Sequence, residues 1–190
     1  MPSFDLRGIK VAQYTNTSGT ISYSNATSAG DAMTANLDLT FAEGRLYAEG
    51  KLAEFIREAT GGTLSLGVKY IPDAAKKLLF GAVEKSRTVS GNTVTGLVYS
   101  ANDDPKYVGV AFYAPDMIDG VKKYTCVFVK KARFGPPSMS YVTKGESITF
   151  NTPTTTGEFL PDDTTAADLF ETAVVDTVAA AQAWVTAVLS

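Results

Sequence analysis

Apolar and polar residues alternate along several short stretches of the chain, as they do in β-strands that bury one face. Within Ala35–Phe41, for example, Leu37 and Leu39 fall on one side of the strand while Asn36 and Asp38 fall on the other. This pattern, together with runs of β-branched and aromatic residues, predicts that most of the chain is β. Strands are predicted at Ile9–Tyr14, Thr20–Tyr23, Ala35–Phe41, Thr63–Lys69, Thr93–Ser100, Lys106–Tyr113, Val121–Phe134, Glu146–Thr152 and Phe170–Val175.

Two short helices complete the prediction. A helix is expected over Asp73–Gly81, because Pro72 favours a first helical turn and Gly81 favours a helix end. A second helix is expected over Thr177–Leu189, with Asp176 as its N-cap. The apolar face of this second helix would hold Val178, Ala181, Val185 and Val188, with Trp184 and Leu189 beside it.

These elements predict one domain over residues 1–190, mainly β in class. The expected architecture is a β-sandwich or barrel-like sheet with the two helices packed on it. A charged segment of about twenty residues, Ala42–Gly61, separates two of the predicted strands, and Gly61-Gly62 predicts a turn at its end. Connections this long are uncommon in compact domains and are often functional. The sequence therefore predicts a protruding loop at about residues 42–61, within which Ala53–Ala59 could pair as a hairpin.

Composition excludes several classes of function. The 190 residues include no histidine and one cysteine, and the formal net charge is −3. A Ser-His-Asp triad needs histidine and a structural zinc site needs several cysteines or histidines, so neither is expected. The acidic balance argues against a general nucleic-acid binder. Cys126 lies in an apolar strand and is predicted to be a core thiol, and the most apolar stretch, Ala173–Leu189, is too polar to span a membrane.

The remaining candidates for chemistry have simpler structural explanations. The pairs Asp103/Asp104 and Asp162/Asp163 each adjoin a proline and are interpreted as turn residues rather than as paired catalytic acids. The basic residues of Lys122–Arg133 are interpreted as a solvated rim or as a salt-bridge surface between subunits. We therefore expect neither enzymatic activity nor a cofactor.

Several predicted strands present a face of small, uncharged or mildly acidic residues. Any antiparallel sheet with one wet face has this pattern, so the pattern alone indicates no function. Its members are Asn36, Asp38, Thr40, Thr63, Ser65, Ser147, Thr149 and Asn151.

A distinctive order of residues runs through the second half of the chain. It comprises Tyr107–Pro115, Ile118–Val121, Tyr124, Lys130–Phe134, Pro137, Tyr141, Thr143–Glu146, Ile148, Phe150, Thr152-Pro153 and Gly157. In this order and spacing the chain resembles the major tail protein of phages with long non-contractile tails, and Thr143–Gly157 is the most specific part. Further similarity lies in Leu46–Ala48, in Gly61–Gly67 and in the closing Phe170 with Ala183-Trp184.

The resemblance implies a tail-tube subunit with a β-sandwich fold. In that family six subunits form a ring, the rings stack, and the sheets join around a lumen through which DNA is ejected into the host. Lys or Arg contacts to phosphate would hold DNA, so the lumen wall is expected to be neutral or acidic. The eight residues of the small polar face above are therefore the candidates for lining the lumen.

The resemblance also implies partners and a location. The segment between the two inner strands would contact the next ring, and the candidates for that contact are Arg45, Lys51, Leu52, Glu54, Phe55, Ile56 and Arg57. A tape-measure protein, a tail terminator and distal tail proteins are the implied partners, with DNA only in transit and no membrane insertion by this chain. The protein would be made in the bacterial host cytoplasm and reside in the virion tail.

A second class of function also fits a β-rich chain. A ligand- or glycan-binding β-sandwich, such as an adhesion or decoration module, would be a stable monomer or small oligomer. It would carry a concave site with convergent polar groups.

Overall fold

The computed structural model describes residues 4–143 and 150–190. Its elements confirm a mainly β chain with one short mid-chain helix and a C-terminal helix. In chain order they are β1 (Arg7–Thr17), β2 (Thr20–Ser28), β3 (Ala32–Ala48), β4 (Lys51–Val68), α1 (Asp73–Phe80), β5 (Val83–Val89), β6 (Asn92–Val98), β7 (Val108–Ile118), β8 (Val121–Phe134), β9 (Thr154–Phe159), β10 (Phe170–Val175) and α2 (Val178–Ala187).

One antiparallel sheet contains eight of the strands and curls around the main core. Its strand order is β2-β1-β7-β8-β9-β4-β3, with β10 also paired to β8. Ile9 and Val11 of β1 lie in the same apolar cluster as Leu64 and Leu66 of β4. Because three strands separate β1 from β4 in the sheet, their inner faces can meet only if the sheet curls. The architecture is thus barrel-like, and α1 adds Leu79 to the enclosed core.

The C-terminal helix packs on the outer side of this sheet. Ala181, Val185 and Leu189 are buried against a second apolar cluster that includes Cys126 and Phe128 of β8. The predicted apolar face of the helix is therefore confirmed. Cys126 is fully buried, as expected of a core thiol, and burial raises the pKa of this thiol.

The ends of the two helices show one correct and one wrong prediction. Gly81 ends α1 in the left-handed conformation, and its N–H donates to the carbonyl of Lys77 at 3.1 Å. The N-cap of α2 is Thr177 rather than Asp176, because the Thr177 hydroxyl accepts a hydrogen bond from the Ala180 N–H at 3.1 Å. Asp176 instead pairs with Lys123 at 3.3 Å.

Two strands lie where the sequence predicts none. The first, β5, pairs with β6 as a separate two-stranded hairpin, and the second, β9, lies between β8 and β4. The expected strand at Glu146–Thr152 lies largely outside the described residues, and residues 150–152 are not in a strand.

The predicted turn at Gly61-Gly62 is wrong. The strand β4 continues through both glycines, which pair with Thr40 and Leu39 of β3. A Cβ atom on Gly62 would lie 2.1 Å from the carbonyl oxygen of Asp38 and 2.5 Å from the ring of Phe159. Glycine is therefore required by the close approach of three strands rather than by a change of chain direction.

Candidate assembly surfaces

The outer halves of β3 and β4 project beyond the sheet as a two-stranded ribbon. The strand β9 pairs with β4 only as far as Gly62, and no third strand among the described residues covers the ribbon Phe41–Ala59. We call residues 41–59 the arm. Its turn is Glu49-Gly50, both with positive φ, and its eight-residue first strand is roughly 23 Å long.

The arm corrects the prediction of a protruding loop at about residues 42–61. Apart from the turn, the segment is regular antiparallel strand on both sides, from the Phe41–Ala59 pair to the Ala48–Lys51 pair. Two features hide the strand in the sequence. Ala53 and Thr60 are extra residues that break the alternation of β4, and no face of the arm is buried in the chain, so no apolar alternation marks it.

One face of the arm is a ladder of aromatic and charged side chains. The Arg57 guanidinium lies 3.9 Å from the centre of the Phe41 ring and 3.3 Å from the Glu43 carboxylate. The Arg45 guanidinium lies 5.3 Å from the centre of the Phe55 ring and 3.5 Å from Glu43. At exposed sites a cation–π contact contributes about 0.5–1 kcal/mol and a surface ion pair about as little, so these contacts stabilise the ribbon only weakly.

The opposite face of the arm is acidic and apolar. Ile56 is 55% exposed and lies between Glu54 and Glu58 along β4, and Leu46 is 58% exposed and lies directly across from Glu54. The seven candidates for inter-ring contact therefore divide between two surfaces that point in opposite directions. Arg45, Leu52, Phe55 and Arg57 share the aromatic face, while Lys51, Glu54 and Ile56 share the acidic face.

The β5–β6 hairpin is a second exposed two-stranded ribbon. The sequence predicted its second strand and missed its first. Its turn is Ser90-Gly91, both with positive φ. The register places Val83, Val89, Val94 and Val98 on one face, and each of these valines is at least 40% exposed. Lys85 and Arg87 lie on the same face between these valines, so the valines do not form a continuous apolar patch.

Five of the eight candidates for lining a lumen lie together on the outer side of the curled sheet. Asn36 pairs with Ser65 and Asp38 pairs with Thr63 across β3 and β4, and directly paired residues point to the same face. Thr40 continues this face on β3. The strand β9 adds two residues that the sequence analysis missed. We define the polar face as the set of residues Asn36, Asp38, Thr40, Thr63, Ser65, Thr156 and Glu158.

The other three candidates do not join the polar face in the structure. Asn151 lies in the loop before β9 and lines a different cleft. Ser147 and Thr149 lie outside the described residues. The signal that could have revealed Thr156 and Glu158 is the alternation of Thr154–Phe159, which places Thr155, Gly157 and Phe159 on the buried side.

Few charges lie on or beside the polar face. Asp38 and Glu158 are its two carboxylates, and Arg133 of β8 lies opposite Glu158 in register. Arg133 forms an ion pair with Asp104, and Lys131 forms an ion pair with Asp163 at 2.6 Å. These basic side chains are therefore neutralised within the chain, and the polar face has no unpaired lysine or arginine among its described residues.

The loop at Asp162-Asp163 is held to the sheet by its carboxylates. Asp162 is 5% exposed, and its Oδ1 accepts hydrogen bonds from the backbone N–H groups of Thr164 and Asp168, both at 3.1 Å. The Tyr14 hydroxyl donates to Asp163 at 2.8 Å. Hydrogen bonds from Lys131 and Tyr14 lower the pKa of Asp163 to about 2, while burial and the bond to Asp163 raise the pKa of Tyr14 to about 12. These acids are structural loop residues, as the sequence analysis interpreted them.

The variant Asp163→Asn is expected to remove part of the acid sensitivity of the fold. The ordinary pKa of Asp163 is 3.8 and its folded value is about 2, so its charge contributes stability that is complete above pH 4 or so and is lost as the pH falls towards 2. The variant should therefore be less stable than wild type at neutral pH, and the difference should shrink in acid. Urea unfolding between neutral pH and pH 2 measures this. Asp31→Asn, at a highly exposed carboxylate, is the control, and parallel curves for Asp163→Asn and wild type would contradict the prediction.

A cleft of about 510 Å³ lies between α1, the β5–β6 hairpin and the segments around residues 137–141 and 151–153. Tyr70, Tyr99 and Tyr141 line it, together with Asp73 and Lys76. The Lys76 ammonium pairs with Asp73 at 2.7 Å and lies 5.6 Å from the centre of the Tyr70 ring. Asp73 and Lys76 are therefore paired with each other, while Lys69, which also lines the cleft, lies 3.9 Å from Asp31 outside it.

The described part of the chain holds no group of three or more His, Cys, Asp or Glu side chains that could bind a metal ion. None of the helices in residues 4–143 and 150–190 is long and apolar enough to cross a membrane. A comparison with protein-family models finds no match to this chain, and a comparison with curated proteins finds no similar protein.

Proposed function

We propose that this chain is the major subunit of a phage tail tube. It self-assembles as stacked hexameric rings into the conduit through which DNA is ejected into the host. The observation that carries the proposal is the arm, because it is a long two-stranded ribbon whose apolar side chains stay exposed on both faces in the described chain.

The arm is an unfavourable structure for an isolated monomer. Two-stranded ribbons are marginally stable in water without a third strand or a packed face. Phe55 and Leu52 on one face are 47% and 52% exposed, and Ile56 on the other is 55% exposed. A neighbouring copy that covered both faces would remove this apolar area from water. Contact between rings through the arm accounts for its length, its two apolar faces and its projection from the barrel.

Unpaired strand edges supply the contacts within a ring. In the described chain β2 pairs only with β1, and β10 pairs only with β8, so each leaves an open edge. Open edges present backbone N–H and C=O groups to another strand. Head-to-tail pairing of two different edges gives a closed ring when the rotations between successive subunits add up to a full turn. Contacts from one ring to the next do not close in this way, so they repeat along the axis and give a tube.

The polar face supplies a wall suited to the passage of DNA. Its hydroxyl, amide and carboxylate groups include no lysine or arginine among the seven residues that define it. Phosphate contacts to basic side chains dominate protein–DNA affinity. Arg133, which is in register with Glu158 of this face, is paired with Asp104 and is therefore less available to bind phosphate. In this proposal the polar face lines the lumen, and DNA is a transient occupant rather than a ligand.

The remaining parts of the proposal follow from this role. The subunit is a structural virion protein rather than an enzyme, made in the host cytoplasm and incorporated in the tail. Length control requires a separate tape-measure protein inside the tube, and the two ends require a terminator and distal tail proteins.

The tyrosine-lined cleft supports the alternative of a ligand- or glycan-binding module. Aromatic rings beside polar groups are typical of small-ligand sites. Asp73 and Lys76 already satisfy each other, which leaves Lys69 as the charged side chain of the cleft that could contact a ligand. The arm also has no role in a monomeric binding module, so the tube is the better explanation.

Electron microscopy of the purified protein in negative stain, across a concentration series and with light scattering for mass, tests the proposal. We expect rings or hollow tubes whose proportion rises with protein concentration. If only monomers form, adding the tail-tip complex as an initiator should produce tubes. Monomers under both conditions would contradict the proposal, and so would a subunit-resolved map of tubes that places the polar face away from the channel.

A further inference from the structure

A cleft of about 540 Å³ opens between β3 and the β7–β8 hairpin, on the inner side of the curled sheet. It is distinct from the arm and the tyrosine-lined cleft, and it shares Asn36 with the polar face. Leu6, Phe112 and Val127 form apolar walls, and Thr34, Asp116 and Thr125 contribute polar groups. The cleft therefore combines an apolar lining with a small number of polar atoms, which is the usual composition of a binding site.

Asp116 is the unusual residue of this cleft. It is 6% exposed, and one carboxylate oxygen, Oδ2, accepts a hydrogen bond from the Thr125 hydroxyl. The other oxygen, Oδ1, is buried and has no hydrogen-bond partner among the described residues. It is the one buried side-chain oxygen or nitrogen in that part of the chain that lacks a partner.

A buried carboxylate oxygen without a donor is unfavourable, because it has lost its water and gained no replacement. Two basic side chains on the strands that pair with β7 are already engaged. Arg7 pairs with Asp5 at 2.6 Å. Lys123 lies directly across from Asp116 in the β7–β8 register, but its ammonium lies 3.3 Å from Asp176.

We propose that this cleft binds an ammonium or guanidinium group on an apolar stem, with Asp116 Oδ1 accepting its N–H. The charged head group completes the carboxylate with a charge-assisted hydrogen bond, and the stem packs on the walls formed by Leu6, Phe112 and Val127. The same chemistry is offered by a small alkylamine and by a lysine or arginine side chain of a second copy. The inference does not rest on the proposed function.

Carbon NMR of the Asp116 carboxyl group tests the site in uniformly ¹³C-labelled protein. We expect n-butylammonium and methylguanidinium to shift the Asp116 Cγ resonance in a saturable way. Tetramethylammonium carries the same charge and has no N–H donor, so it should produce no saturable shift. This comparison uses the wild-type chain and stays informative even if a variant does not fold.

Two charge-removing variants test whether n-butylammonium binds at Asp116. Asp116→Asn should weaken n-butylammonium binding about tenfold or more, because it replaces a charge-assisted hydrogen bond by a neutral one. Asp119→Asn removes the same charge from the exposed turn between β7 and β8 and should leave binding unchanged. Isothermal titration calorimetry measures both.

Measurements of self-association distinguish a side chain of a second copy from a free amine as the natural source of the cationic group. If a second copy supplies the side chain, n-butylammonium should inhibit self-association and the Asp116 Cγ shift of the assembled protein should match that of the amine complex. If a free amine is the ligand, n-butylammonium should bind without affecting association. The proposal is overturned if wild type shows no saturable shift as monomer or as assembly, if tetramethylammonium acts like the primary amine, or if Lys123→Met alters Asp116 Cγ as a lost internal ion pair would.

Discussion

Tubes should fail to form when the arm is removed, while the barrel-like domain should fold as in wild type. The variant deletes residues 42–58 and joins Phe41 to Ala59 through Asn-Gly, which forms a tight hairpin turn. Phe41 and Ala59 are already a cross-strand pair, so the shortened hairpin keeps the register of the sheet. No residue of the main apolar core belongs to the deleted segment, so thermal stability should change little.

The same electron-microscopy and light-scattering series measures the effect, and circular dichroism confirms folding. A point substitution on the aromatic face provides a finer test. Phe55→Glu places a carboxylate on an apolar contact surface and should reduce assembly at least about tenfold, as truncation of a central interface residue does. Phe55→Leu keeps the surface apolar and is the matched control. Tubes of normal yield from the deletion variant would remove the main support for the proposed function.

The arm also shows where sequence patterns stop being informative. A strand reveals itself by alternation only when one of its faces is buried. At the base of β3, Ala35 and Leu37 are partly buried against the main core, and Leu37 marks this side of the strand. Beyond Phe41 the chain has no core to face, so burial imposes no alternation on its residues. The predicted loop was wrong in its conformation for this reason, although its position and its projection from the domain were predicted.

The hairpin β5–β6 and the strand β9 were missed for related reasons. Every residue of β5 is exposed, so Val83–Val89 carries no alternation that a core would impose. The strand β9 alternates in burial, but its buried side contains Thr155 and Gly157 beside a single aromatic residue, Phe159. Small residues are used there because Phe134 packs against Gly157, and such a contact between distant strands leaves no local pattern.

The elements that pack on a core were predicted closely. The strand β8 and the strand β10 have the bounds that the apolar runs indicated, and α1 ends at the glycine that signals its end. The polar face could be predicted in part, since the alternation of β3 and the base of β4 fixes which residues share a side. The prediction was incomplete because β9, the third strand of that face, is far from β4 in the sequence and meets it only in the folded chain.

Gly62→Ala should strongly destabilise the subunit at the base of the arm. The new Cβ would lie 2.1 Å from the Asp38 carbonyl oxygen and 2.5 Å from the Phe159 ring. One neighbour is backbone and the other is a fully buried ring, so neither can move without displacing β3 or β9. Overpacking of this kind costs about 3 kcal/mol, which corresponds to a fall in Tm of roughly 6–12 °C for a chain of this size.

Gly96→Ala is the control, because the same methyl group at Gly96 of β6 has no heavy atom within 4 Å. It should change the free energy of unfolding by less than about 0.5 kcal/mol. Differential scanning calorimetry compares the two variants, and equal Tm values would show that β3, β4 and β9 do not meet closely at Gly62. That junction matters for function because the barrel ends and the arm begins there. A displaced β3 would redirect the arm, so Gly62→Ala should lower tube yield even at temperatures where the subunit remains folded.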